Sequence, residues 1–170
     1  MLKKYGQDPA VYHDLEEMLA RESRNLDAII IATPDWMHAP QALACLKAGL
    51  NVYCEKEMSN TIEGARAMVR AARETKKLLQ IGHQRRSNPR YLLALSMIEK
   101  EKILGRPTHV QGQWNRESLL DYGWPKDYAM APEDLAKYGY QTMPRFRNWR
   151  RYKKFSGGPM ADLGSHQGGF

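Results

Sequence analysis

Residues 27–82 place the tightest constraint on how this chain folds. They read Asp-Ala-Ile-Ile-Ile-Ala-Thr-Pro, an amphipathic run, Leu-Asn-Val-Tyr-Cys-Glu-Lys-Glu, a second amphipathic run, and Leu-Leu-Gln-Ile-Gly. Three short apolar runs alternating with two of helical period form the pattern of parallel strands joined by helical crossovers. An α/β fold with right-handed crossovers is therefore expected. Each apolar run ends in polar residues: Thr33, then Glu55 and Lys56, then Gln84 and Arg85. Ligands of open α/β sheets bind outside the carboxyl ends of the strands. One stretch thus supplies both a scaffold and the polar rim of a site.

Local signals refine the elements. Residues 11–23 read as a helix with Asp14 as N-cap and Leu15, Met18 and Leu19 on one face. The strand at 27–32 is nearly all apolar, which predicts burial on both faces. Thr33 or Asp35 is expected to cap the next helix, with Pro34 at an early position and Gly49 as its stop. Ala39, Ala42, Leu43 and Leu46 form its apolar stripe. A second strand covers 50–54. Asn60 with Glu63 resembles a capping box, opening a helix whose inward face carries Ile62, Ala65, Val69 and Ala72. Residues 78–81 make the third strand.

The character changes after Gly82, and a domain boundary is expected near Gln84, dividing the chain into 1–84 and 85–170. Pro89 opens a helix reaching to about residue 103, ended by Gly105-Arg106-Pro107. Residues 108–115 alternate, with Val110, Gly112 and Trp114 on one side, and read as a half-covered strand. Residues 117–156 look irregular and rich in Tyr, Pro and Trp, a texture that in long loops accompanies function or covering of a site.

Composition narrows the class. The apolar fraction of 42% supports a packed core. No apolar run approaches the ~20 residues that cross a bilayer, so no membrane partner is expected. The first residues lack the apolar core of a signal peptide. Cys45 and Cys54 form no CxxC pair, which argues against a metal centre and for a reducing, cytoplasmic compartment. The net charge of +7 suits an anionic partner or simply solvated helix faces. It concentrates only at 145–154.

Four features carry chemistry. Lys56 follows a buried strand, where partial desolvation would suit proton exchange with a hydroxyl; a surface ion pair is the plainer reading. Asp162 and His166 are four apart and project within about 40° of each other if the segment is helical. A carboxylate beside an imidazole is an acid/base arrangement, though a capping aspartate with an incidental histidine fits equally. His38 lies one turn into its helix, near the sheet rim. Residues 145–155 interleave cations and aromatics, as in a loop over an anionic or sugar-binding cleft, or a single-stranded nucleic-acid platform. No nucleic-acid fold signature accompanies the segment, so the cleft reading stands first.

Taken together, these stretches resemble the Gfo/Idh/MocA oxidoreductase family. The matching motifs are Ile30-Ile31-Ala32-Thr33-Pro34 with His38; Cys54-Glu55-Lys56; Leu79 to Arg86; and Gly157 to His166. The resemblance implies a partial Rossmann domain followed by the start of an α+β domain with a mostly antiparallel sheet. It implies NAD or NADP as cofactor, and hydride transfer to or from a hydroxyl-bearing carbon of a polyol, sugar or cyclitol. Under it, Lys56 is the lysine of the family's Glu-Lys-Pro motif, Asp162 binds substrate and His166 is the acid/base. Thr33, Pro34, His38, Glu55, Lys56, Gln84 and Arg85 would line the cofactor side. The parent protein would be a homo-oligomer joined through the second-domain sheet. Two departures stand out. Glu57 replaces the motif's proline, and no G-x-G-x-x-G turn precedes Asp27. The sequence accordingly reads as part of a longer protein, itself a poor binder of dinucleotide. A non-catalytic sensor or structural relative is the alternative, and a nucleic-acid-binding module the third.

Overall fold

The computed structural model describes residues 5–113, 115 and 121–166. Asp14 caps α1 (Leu15–Glu22) by accepting hydrogen bonds from the Glu16 and Glu17 amides at 2.8 and 3.0 Å. The helix begins after that cap, not at residue 11, because Asp14 has extended backbone (φ −132°, ψ 132°) and ends the helical run there. Strands β1 (Ala28–Ile31), β2 (Asn51–Glu55) and β3 (Leu79–Gly82) form a parallel sheet in that order. Helices α2 (Asp35–Lys47) and α3 (Ile62–Thr75) make the crossovers. The expected α/β scaffold is present.

Its core lies on one face only. Leu46, Leu50, Met68, Cys45 and Cys54 are fully buried where α2 and α3 pack together on the sheet. Burial on both faces, expected for β1, does not occur: Ile30 is 77% exposed. Ile30, Tyr53 and Gln80 lie in register across the uncovered side. Strands that step in one direction through right-handed crossovers place both helices on the same face, which explains the asymmetry.

Three helix details differ from expectation. Neither Thr33 nor Asp35 caps α2, which opens at Pro34 without a side-chain cap. Thr61, not Asn60, caps α3, its Oγ1 accepting from the Gly64 amide at 3.0 Å. The inward face of α3 carries Met68 and Ala71, with the expected Ala72 packed beside them, while Ile62 and Val69 face outward. Gly64 explains the rotation. A Cβ there would come within 3.0 Å of the Ala39 Cβ, so the helices meet along their small residues.

Beyond β3 the described residues contain no strand. Helix α4 (Pro89–Glu99) ends before Gly105. Described residues of 108–115 alternate in polarity but pair with nothing, and Val110 is 86% exposed. A strand requires a ladder partner, and none stands beside it among the described residues. Trp114 lies outside them. The described part of the segment expected to be irregular, 121–156, instead holds short helices: α5 (Pro132–Lys137), α6 (Met143–Arg147) and 3₁₀ turns at Lys126–Tyr128 and Trp149–Arg151; α7 (Pro159–Asp162) and a 3₁₀ turn at Gly164–His166 follow it.

These turns close around a second core of Leu135, Tyr140, Met143, Trp149 and Phe155. Trp36, on the first turn of α2, joins the two cores. Its indole Nε1 donates to the Tyr140 hydroxyl at 2.9 Å, and its ring meets Phe155 at 5.4 Å between centroids. Replacing Trp36 with Ala should destabilise the chain by about 3 kcal/mol, in the range of buried aromatic truncations. Urea unfolding would measure this, and limited proteolysis should show residues 122–166 cut before the sheet.

Candidate active site

Lys56 emerges from the carboxyl end of β2, and its side chain is only 13% exposed. A charge so covered needs compensation. Asp162, at the end of α7, provides it twice. The Lys56 ammonium donates to the Asp162 backbone carbonyl and lies 3.4 Å from Oδ1. Arg150 Nε donates to the other carboxylate oxygen, Oδ2, at 2.9 Å. The Arg150 guanidinium also lies 4.4 Å over the Trp149 ring, which holds it in place. One carboxylate is thus clasped by two cations from opposite sides of a cleft. The expected helical alignment of Asp162 with His166 is not what joins them. α7 stops at Asp162, and a 3₁₀ turn carries His166.

Two adjoining cavities flank this partition. The larger, about 380 Å³, takes Lys56, Asp162 and His166 into its wall, with Tyr122, Arg147 and Trp149 among the rest. The smaller, about 190 Å³, opens over the ends of β1 and β2, against Thr33, Asp35, Glu55 and Glu57. Lys56, Trp149, Arg150 and Asp162 border both. Clefts with a few convergent polar groups are where ligands bind.

The electrostatics of the two differ. Burial, then the Lys56 charge, hold the His166 imidazole below the usual histidine range. Beside the smaller cavity Asp35 is 5% exposed, and neither carboxylate oxygen completes a hydrogen bond. Its burial raises it above the ordinary carboxylate value. Glu57, one residue past Lys56, is pushed up to about 7, first by burial and then by the Asp35 charge. A proton held by Glu57 can be donated toward an Asp35 oxygen, satisfying groups that two carboxylates cannot satisfy for each other.

The residues expected at the site divide. Thr33, Glu55, Lys56, Asp162 and His166 line the cleft. Pro34, His38, Gln84 and Arg85 line neither cavity. His38 is 1% exposed, and its ring bridges the Thr33 carbonyl (Nε2, 2.8 Å) and the Glu57 carbonyl (Nδ1, 2.5 Å). It ties the turn after β1 to the turn after β2, beneath the cleft. Gln84 and Arg85 are exposed on the turn after β3, although the Arg85 charge also depresses His166. The Lys56–Glu57 peptide bond is cis. Sequence reasoning did not single out Asp35 or Tyr122 as site residues. Arg147, Trp149 and Arg150 were visible only as members of the cationic, aromatic segment. Among the described residues no cluster of metal-ligating side chains exists.

Glu57 makes stability pH-dependent in a definite direction. Its folded value lies above the usual 4.5, so its contribution is complete below that pH and is lost as pH rises through about 7. Between about pH 5 and pH 8 the chain should lose about 1 kcal/mol relative to Glu57→Gln, a figure reduced for the residue's partial exposure. Thermal melts of both proteins across that range would show it, and parallel curves would contradict it.

With this geometry in place, comparison with known proteins is direct. Residues 2–83 match the family described as an oxidoreductase family with an NAD-binding Rossmann fold. A 4-carboxy-2-hydroxymuconate-6-semialdehyde dehydrogenase of Sphingobium is 41% identical over 68% of this chain and 36% of its own length. The scyllo-inositol 2-dehydrogenase (NADP(+)) IolW of Bacillus subtilis is 28% identical over 97% of this chain and 38% of its own. The crystal structure of an NAD-binding protein from Listeria innocua superposes with a TM-score of 0.61 at 28% identity, covering 98% of this chain and 40% of that one. The chain therefore spans about a third of the length of the curated relatives it matches. The matched segment holds the parallel sheet, the Thr33-Pro34 turn and the Glu55-Lys56 tip, and residues 2–83 belong to the NAD-binding Rossmann part of the Gfo/Idh/MocA family of oxidoreductases.

Proposed function

We propose that this chain supplies the reaction chamber of an NAD(P)-dependent oxidoreductase acting on a secondary hydroxyl, or the matching ketone, of a sugar or cyclitol-like substrate. The observation that carries the reading is the common cavity of Lys56, Asp162 and His166 at the end of β2. The activity named for the Bacillus relative, an inositol dehydrogenase using NADP(+), supports both the substrate class and a nicotinamide cofactor.

The smaller cavity fits part of such a cofactor. Glu55, at the end of β2, presents a carboxylate suited to accept from ribose hydroxyls there. When bound, NAD or NADP supplies the hydride acceptor or donor. The chain's own residues do the rest. The His166 imidazole, kept neutral near pH 7 by burial and the Lys56 charge, takes the hydroxyl proton and returns it in reverse. Lys56 donates a hydrogen bond to the same oxygen and stabilises the negative charge that develops there. Asp162 holds Lys56 in place and, with lone pairs to spare, orients the substrate through a neighbouring hydroxyl.

The wider organisation follows from the same reading. The boundary falls near Gln84, and residues 85–170 begin an α+β domain whose mostly antiparallel sheet also forms the oligomer contact. The alternation at 108–115 supports this. The two free, buried thiols support a cytoplasmic site.

The test is kinetic. In the full-length protein, Lys56→Met and His166→Asn should each lower kcat by about 10²–10⁴-fold. The NADH dissociation constant should stay within about threefold. Normal turnover in both variants would refute the assignment.

A further inference from the structure

The two chambers carry opposite charge. Around the smaller one stand Asp35, Glu55 and Glu57. The larger one has Lys56, Arg147 and Arg150 in its wall, and Asp162 as its only carboxylate among the described residues. That carboxylate is already taken up between Lys56 and Arg150. Arg147 is the cation left over. Its Nε donates to the Gly123 carbonyl at 3.1 Å, which fixes the direction of the guanidinium. No ion pair joins Arg147 to an acid among the described residues. The terminal nitrogens of a guanidinium form a planar fork that matches an oxyanion and binds it through two parallel hydrogen bonds. A neutral polyol would leave this positive field without a counter-charge.

We propose that the larger cavity selects a polyol or sugar bearing an oxyanion, a carboxylate or a phosphate, which Arg147 binds at the end of the molecule remote from Lys56 and His166. This deepens the oxidoreductase reading and rests on it for the assignment of the reacting end. Arg150 contributes to the same field, but its hydrogen bond to Asp162 makes it part of the partition. Arg147 is the specificity residue. A cavity of about 380 Å³ falls within the size range of small-ligand sites, and the half-buried ring of Phe146 in its wall offers apolar surface for the carbon skeleton.

Calorimetric titration of the 170-residue chain with glucuronate, glucose 6-phosphate and glucose tests the proposal without dinucleotide. At least one of the two anions should bind about tenfold more tightly than glucose, with a preference that shrinks as salt is raised. The stronger of the two identifies the oxyanion. Arg147→Gln should remove most of the preference by weakening anion binding, with the thermal midpoint unchanged, since Arg147 is exposed and outside both cores. Equal binding of glucose, a preference that survives Arg147→Gln, or no binding of either anion overturns it. NADH titration and turnover of the full-length protein separate the two levels of the argument. Hydride transfer that favours neutral polyols sinks the oxyanion proposal alone. Anion selectivity without NADH binding or turnover sinks the oxidoreductase reading alone.

Discussion

A lysine at the tip of a strand, with its side chain 13% exposed, cannot stand there without an acid. Asp162 is the acid it meets. That ion pair decides where a segment more than a hundred residues away comes to rest. It is helped by packing that has no chemical role. Trp36 leaves α2 to enter the aromatic cluster of Tyr140 and Phe155, anchoring residues 122–166 over the strand ends. Buried ion pairs are weak sources of stability but strong sources of registration. Here the apolar anchor brings the segment to the sheet, and the charged clasp fixes its final position.

The arrangement that results is a cleft divided by its own ion pair. On one side, the ends of β1 and β2 present acids, with Asp35 raised chiefly by burial and Glu57 by burial and then by the Asp35 charge. On the other, cations face an imidazole held below its ordinary range. His38 supports the divide from below, linking the backbone after β1 to that after β2 through its two ring nitrogens. A histidine used in this way keeps the Thr33 and Lys56 turns at a constant separation. A hydride donor and its acceptor, each bound in its own chamber, would need that spacing.

The sheet was legible because its signal is local. Apolar runs of four or five residues, separated by helical periods and closed by Gly49 or Pro34, admit few other folds. Lys56, Asp162 and His166 were legible as candidates through motif spacing. Their meeting was not, because it depends on Trp36 and the second core, contacts more than a hundred residues apart in sequence. The face of α3 was misjudged for a related reason. Ile62 and Val69 look like core residues by hydrophobicity, yet the close approach at Gly64 and Ala39 turns the helix toward Met68 and Ala71. Residues 108–113 failed as a strand because alternation records a preference that only a neighbouring strand can realise. Asp35 was taken for a helix cap, the commonest role of an aspartate in that position. Its burial beside Glu57 could be seen only once both turns were placed.

The central claim is that the ammonium of residue 56 and the imidazole of residue 166 share one small space. NMR titration of the His166 ring in the chain and in Lys56→Met, with His166→Asn to assign the resonance, measures this without ligand or turnover. Burial and the nearby cation should hold the imidazole below the ordinary histidine value of about 6.5 in the parent chain. Loss of the cation should move it upward. An imidazole titrating at the ordinary value in both proteins would mean that the two groups do not face one another, and the reaction chamber described here would not exist.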